Sequence, residues 1–216
     1  MSDALAAFEA LVLSQQPASV PWQPVTDYSF EARKAIEGKH PELIVEVFQP
    51  TQVMDAGMGL GHLVHLLRER MGVSAAPITT ASSWVMGFDP QRTGLCYGDL
   101  ALDRIGHEWL FKWKPDLVIC REVLEHLTIR QIRQAVTNLC ALSSRYVYVT
   151  TRFHQAPAHL LDVQTADDLD PTHQTMLNQD FLRVLFVLEG FKRRADLEQR
   201  MDWKNLGRVL VYERAA

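Results

Sequence analysis

The chain has 216 residues and 24.6 kDa, the size of one larger globular domain or of one domain with a small addition. Apolar residues make up 47% and charged residues 22%, which excludes wholesale disorder, and a net charge of −4 supplies no global basic field for a nucleic-acid backbone. No run of about 18 apolar residues is present and Met1-Ser2-Asp3-Ala4 lacks the basic-then-apolar order of a signal peptide, so a cytoplasmic protein without membrane insertion is expected.

Residues 2–13 place Leu5, Phe8, Leu11 and Val12 at helical spacing behind a Ser2/Asp3 start. Pro17, Pro21 and Pro24 mark a turn-rich stretch, after which Thr26 or Asp27 caps a helix that stops near Gly38. Pro41 suits the first turn of a further helix, to about Phe48. Residues 1–50 therefore read as a helical extension or lid ahead of the main domain, residues 51–216.

In that domain Val53 to Asp55 is a short strand running into glycines, and Gly61 to Arg70 is a helix striped by Leu63, Leu66 and Leu67. A small-residue linker at 73–83 precedes a second strand, Trp84 to Phe88. Leu95 to Tyr97 reads as a third strand, Asp103 to Lys112 as a helix, and Asp116 to Cys120 as a fourth strand. Ile129 to Leu142 follows as a helix and Arg145 to Thr150 as a fifth strand. After a long loop Asn178 caps a helix to about Leu188, and Phe191–Arg194 and Val209–Glu213 close the chain as paired strands. Apolar strands alternating with helices imply an α/β fold, with a mostly parallel seven-stranded sheet covered on both faces. The closing pair suggests an antiparallel edge. Cys96, Cys120 and Cys140, without CxxC spacing, read as small core residues.

Ligands of such sheets sit outside the carboxyl ends of the strands. The first strand ends in Asp55-Ala56-Gly57-Met58-Gly59-Leu60-Gly61. A glycine-rich turn into a helix lets backbone approach a ligand where Cβ atoms would clash, and it aims helix N–H groups at that ligand. The acidic-x-GxGxG order differs from the GxGxxG of dinucleotide enzymes. It resembles the first motif of class I S-adenosylmethionine-dependent methyltransferases. The resemblance implies a Rossmann-like fold and glycines that approach the methionine part of the cofactor. It also implies an acid that helps hold the ammonium end, with Ala56, Met58 and Arg121 along the cofactor.

The same resemblance gives the second strand end, Asp89-Pro90, the role of accepting hydrogen bonds from ribose hydroxyls. It sets Gly98-Asp99-Leu100 beside the adenine. Asp89 is the only acidic residue between Glu69 and Asp99.

The fourth strand runs into Arg121-Glu122-Val123-Leu124-Glu125-His126-Leu127, which looks like the segment following the equivalent strand of small-molecule methyltransferases, including ubiquinone-biosynthesis O-methyltransferases. If it turns helically, Glu122, Glu125 and His126 share a face at i, i+3 and i+4. With His173, in Asp170-Pro171-Thr172-His173, the set also resembles the metal site of small-RNA 3′-terminal 2′-O-methyltransferases. A divalent cation on oxygen and imidazole ligands would lower the pKa of a substrate hydroxyl. A metal-free polar pocket wall, with Glu125, His126 and His173 as the catalytic groups, is the competing expectation.

A methyltransferase acting on a hydroxyl or amine of a small molecule is thus expected. An RNA 2′-O-methyltransferase and a catalytically inactive, cofactor-binding partner subunit are the alternatives.

Overall fold

The computed structural model describes residues 37–59, 61–73, 82–88, 112–153, 161–162 and 173–216. Its centre is four short strands: β1 (Gln52–Ala56), β2 (Trp84–Phe88), β3 (Leu117–Arg121) and β4 (Tyr146–Thr150). They pair in parallel in the order β2-β1-β3-β4, with Asp55 opposite Gly87 on one side and Ile119 on the other. Asp116, just ahead of β3, accepts hydrogen bonds from the Thr51 and Gln52 amides and the Thr51 hydroxyl, which fixes where β1 begins.

The sheet continues through β8 (Val209–Arg214) to β7 (Phe191–Arg193) on the edge. β8 is antiparallel to both β4 and β7. The reversed strand is therefore second from the edge, and β7 runs with the parallel set. The reason is a helix that the sequence reading passed over, α5 (Ala195–Met201), between β7 and β8. Its buried Leu197 and Met201 pack on the sheet, and β8 returns between β4 and β7. Six strands form this sheet among the described residues; the expected strand at Leu95 to Tyr97 and all but the last residue of the expected helix at 103–112 lie outside them.

Strand alternation builds two cores. Val53, Val85, Leu117, Ile119, Tyr146 and Tyr148 face α1 (His40–Phe48), α2 (His62–Met71) and α5, with Ile44, Leu67 and Met201 buried between. Met54, Ala56, Val118, Cys120, Val147 and Val149 belong to the second core, with Ile132, Val136, Leu139, Leu182 and Phe186. These last five come from α3 (Ile129–Leu142) and α4 (Gln179–Leu188). α1, the last part of the expected extension, is thus core-packed, and residues 1–36 lie outside the described residues.

Side-chain caps hold two helix starts, of which the sequence reading named only Asn178. Thr128 and Gln131 close a reciprocal capping box on α3, and the Asn178 side chain accepts from the Asp180 amide at the start of α4. A small second sheet pairs β5 (Leu161–Asp162) with β6 (Met176–Leu177). Leu177 also bridges Phe153, just beyond β4. Among the described residues no helix is long and apolar enough to cross a membrane.

Candidate active site

The glycine turn sits at the carboxyl end of β1. Gly57 has φ +113°, and a Cβ there would lie 2.4 Å from Val123 Cγ2, so the turn is packed directly on the segment that follows β3. Among the described residues a side chain at Gly59 would meet nothing within 4 Å, so on their side this part of the turn borders open space. Gly61 precedes α2 in a left-handed conformation, with no side-chain cap among the described residues. Met58 is seated by a residue the sequence reading did not single out: a Cβ at Gly87 would lie 2.7 Å from Met58 Sδ.

Asp55 and Arg121 share the α1 face of the sheet. Asp55 is 3% exposed and its Oδ1 has no hydrogen-bond partner. Burial pushes its carboxyl up to about 7, with Arg121 pulling the other way and Glu37 adding to the rise. Arg121 ends β3, and its Nη1 donates to Glu37 Oε2 at 2.9 Å, while its Nε, also buried, has no partner. Glu37 opposes His40 Nδ1 at 3.3 Å, and His40 Nε2 lies 2.6 Å from the Tyr148 hydroxyl.

Burial works against a charge on Glu37, but the His40 ring and the Arg121 guanidinium outweigh it and hold the carboxyl at about 2. Burial and Arg121 lower His40 to about 4. The ring is therefore neutral at pH 7. One tautomer satisfies both contacts: Tyr148 donates to Nε2, and Nδ1–H donates to Glu37. Nothing in the sequence links Glu37 to Arg121, 84 positions apart.

The Glu122–His126 segment is not an α-helix. Glu122 takes φ +50°, and only Leu124–His126 form a single 3₁₀ turn. The Glu122 amide donates to Thr150 O at 2.8 Å, which prolongs the β3–β4 ladder by one bond, and the left-handed residue then reverses the chain. Glu122 is exposed at this reversal; its carboxyl still reaches that of Glu125, but it stands outside the cluster whose ligand atoms all converge.

That cluster is Glu125, His126 and His173, all buried, with candidate ligand atoms within 4.8 Å of one another. The two imidazoles meet edge-on with centroids 4.9 Å apart. His173 comes from 47 positions away because the Glu125 carbonyl accepts from the Gln174 amide at 2.7 Å and the Thr175 amide at 3.1 Å. Glu125 is 0% exposed; Thr151 Oγ1 donates to its Oε2 at 2.7 Å, while Oε1 has no partner. Burial, reinforced by the Glu122 carboxylate, holds the Glu125 carboxyl well above the usual carboxylate range, against its backbone and Thr151 hydrogen bonds.

The structure thus describes Asp55, Ala56, Gly57, Met58, Gly59, Gly61 and Arg121 around one turn, and Glu125, His126 and His173 together beside the neighbouring strand ends. Asp89, Pro90, Asp99 and Leu100, expected at the ribose and adenine, lie outside the described residues. The sequence reading missed Thr151, Glu37, His40 and Tyr148; a buried Glu37 carries no local signal, whereas Thr151 follows a strand end.

No protein-family model matches the sequence, and no curated protein matches it. Solved structures do. A SAM-dependent methyltransferase from Archaeoglobus fulgidus aligns with a TM-score of 0.54 at 16% identity, over 86% of this chain and 95% of that one. Streptomyces venezuelae DesVI aligns at 0.53 and 14%, over 88% and 100%. The N-terminal domain of EvdMO1, determined in the presence of S-adenosylhomocysteine and D-fucose, aligns at 0.52 and 14%, over 100% and 98%. Likenesses at such identities establish architecture: the chain has the Rossmann-like α/β fold of these structures.

Proposed function

We propose that the chain is an S-adenosylmethionine-dependent methyltransferase that methylates a hydroxyl of a small molecule. The observation that carries the reading is the pairing of two features at adjoining strand ends. One is a glycine turn bordering open space beside the buried, unpartnered Asp55 Oδ1. The other is a buried Glu125–His126–His173 cluster with its own unpartnered carboxylate oxygen. A buried carboxylate left unpaired costs about 1–3 kcal/mol or more, so each marks a place completed by a ligand.

The glycine turn and Asp55 fit the amino-acid end of the cofactor, which when bound supplies a sulfonium-activated methyl group. Asp55 receives the ammonium, and Asp89 and Asp99 are assigned to the ribose and adenine. At the second feature Thr151 locks one Glu125 oxygen and leaves Oε1 to hydrogen-bond an acceptor hydroxyl, whose proton passes to one of the two adjacent imidazoles. Holding the acceptor in line with the methyl and excluding water are the fold's main contributions.

The donor set also fits a divalent cation. One carboxylate and two imidazoles within 4.8 Å suit a first-row transition ion better than magnesium or calcium. Glu125, His126 and His173 would hold it, and it would lower the pKa of the acceptor hydroxyl. A terminal ribose of RNA presents the same hydroxyl chemistry, but the net charge of −4 favours a small acceptor.

Calorimetry with S-adenosylmethionine and S-adenosylhomocysteine tests the cofactor: binding of both is expected, and no heat from either refutes the reading. Radiolabelled methyl transfer to hydroxylated acceptors, with an RNA 3′ end in the panel, tests the acceptor class. Dialysis against EDTA tests the cation: activity that vanishes and returns with Mn²⁺ or Zn²⁺ assigns the cluster to a metal. Undiminished activity assigns the cluster to metal-free proton transfer.

A further inference from the structure

We propose that Arg121 is the residue that recognises the carboxylate of the amino-acid moiety bound at the glycine turn, and that Glu37, backed by His40 and Tyr148, is the residue that positions it. The inference deepens the reading above, because that moiety belongs to the cofactor.

Arg121 and Asp55 lie on the same face of neighbouring strands. Asp55 is in register with Ile119, and Arg121 lies two residues further along β3. Each carries a buried polar atom without a partner, Oδ1 on the acid and Nε on the guanidinium. The two atoms have opposite electrical character, and both flank the turn at which Gly57 touches the chain just beyond Arg121. An α-amino acid moiety carries an ammonium and a carboxylate two bonds apart, and it would satisfy both atoms at once.

A purely structural Arg121–Glu37 ion pair does not account for the arrangement. Such a pair would leave Nε–H dehydrated and unbonded, and a buried ion pair of this kind often stabilises no more than apolar residues of the same volume. Glu37 engages only Nη1. The Nε side of the guanidinium, the edge that makes fork-like bonds to carboxylates, is left for a ligand.

The line from Tyr148 through His40 to Glu37 then acquires a purpose. Tyr148 lies within β4, and His40 is packed edge-on against it, with ring centroids 5.5 Å apart. The sheet therefore fixes His40, His40 fixes the Glu37 carboxylate, and Glu37 fixes the rotation of the guanidinium plane.

The test is calorimetry with two probes, S-adenosylhomocysteine and its decarboxylated analogue, which lacks only the carboxylate. The wild type is expected to bind S-adenosylhomocysteine about 10- to 100-fold more tightly, the worth of hydrogen bonds to a charged group. Arg121→Met is expected to abolish that preference while keeping the affinity for the analogue, which also shows that the variant is folded. Glu37→Gln should narrow the preference several-fold without changing analogue binding. Equal wild-type affinities, or an Arg121→Met loss shared equally by both probes, overturn the assignment of Arg121. A Glu37→Gln preference identical to the wild type overturns the role of Glu37. Failure of the wild type to bind either probe refutes the methyltransferase reading itself and the clamp with it.

Discussion

The contact between Gly57 and Val123 offers a quantitative test of how the glycine turn is held. In Gly57→Ala the new Cβ would lie 2.4 Å from Val123 Cγ2, well inside van der Waals contact, at a residue with φ +113°. Val123 is 1% exposed and β-branched, so its methyl cannot swing aside cheaply. Overpacking of this kind costs roughly 1–3 kcal/mol, and the left-handed backbone adds roughly 1–3 kcal/mol. Val123→Ala alone removes two buried methyl groups and is expected to cost about 2 kcal/mol. It also creates the space that the methyl added at position 57 needs. The double variant should therefore be less destabilised than the sum of the singles by roughly 2 kcal/mol, leaving mainly the backbone cost. Urea unfolding of the four proteins, followed by circular dichroism, measures the coupling. If the two losses add within about 0.5 kcal/mol, the contact is not what makes glycine necessary at position 57.

Three further outcomes are expected. Asp55 binds its proton more tightly folded than unfolded, since burial raises its pKa from 3.8 to about 7. It therefore withdraws stability as pH rises from about 4 to about 7, up to roughly 4 kcal/mol. Asp55→Asn should match the ligand-free wild type near pH 4 and exceed it at pH 8 in thermal melts; a gap independent of pH contradicts this. Glu122→Gly should be about 1 kcal/mol more stable than the wild type because Glu122 holds φ +50°, whereas Glu122→Ala should not be; equal melting temperatures for both variants contradict backbone strain. Thr128→Ala removes the hydroxyl that receives the Gln131 amide, so denaturant unfolding should report a loss of about 1 kcal/mol with no change in ligand affinity.

The sequence by itself determined what depends on neighbours along the chain. Apolar runs at strand spacing located β1 to β4, because a strand buried on both faces has no polar side to spare. The Asn178 cap marked a helix start because it joins residues two apart. The acidic-x-GxGxG turn was legible for the same reason: the backbone demand of a close approach is written in consecutive residues.

The tertiary structure alone decided what depends on residues far apart. That β8 enters between β4 and β7 follows from where α5 packs, which no period in the sequence specifies. Glu122 was expected on a helical face with Glu125 and His126, but the β3–β4 ladder takes its amide and it adopts a left-handed conformation, so its carboxyl meets Glu125 from an exposed turn rather than along a helix. The cluster nevertheless forms, because two amides after His173 reach the Glu125 carbonyl across 47 positions from His126. Glu37 and Arg121 meet across 84 positions, and only folding creates the burial that sets their charges.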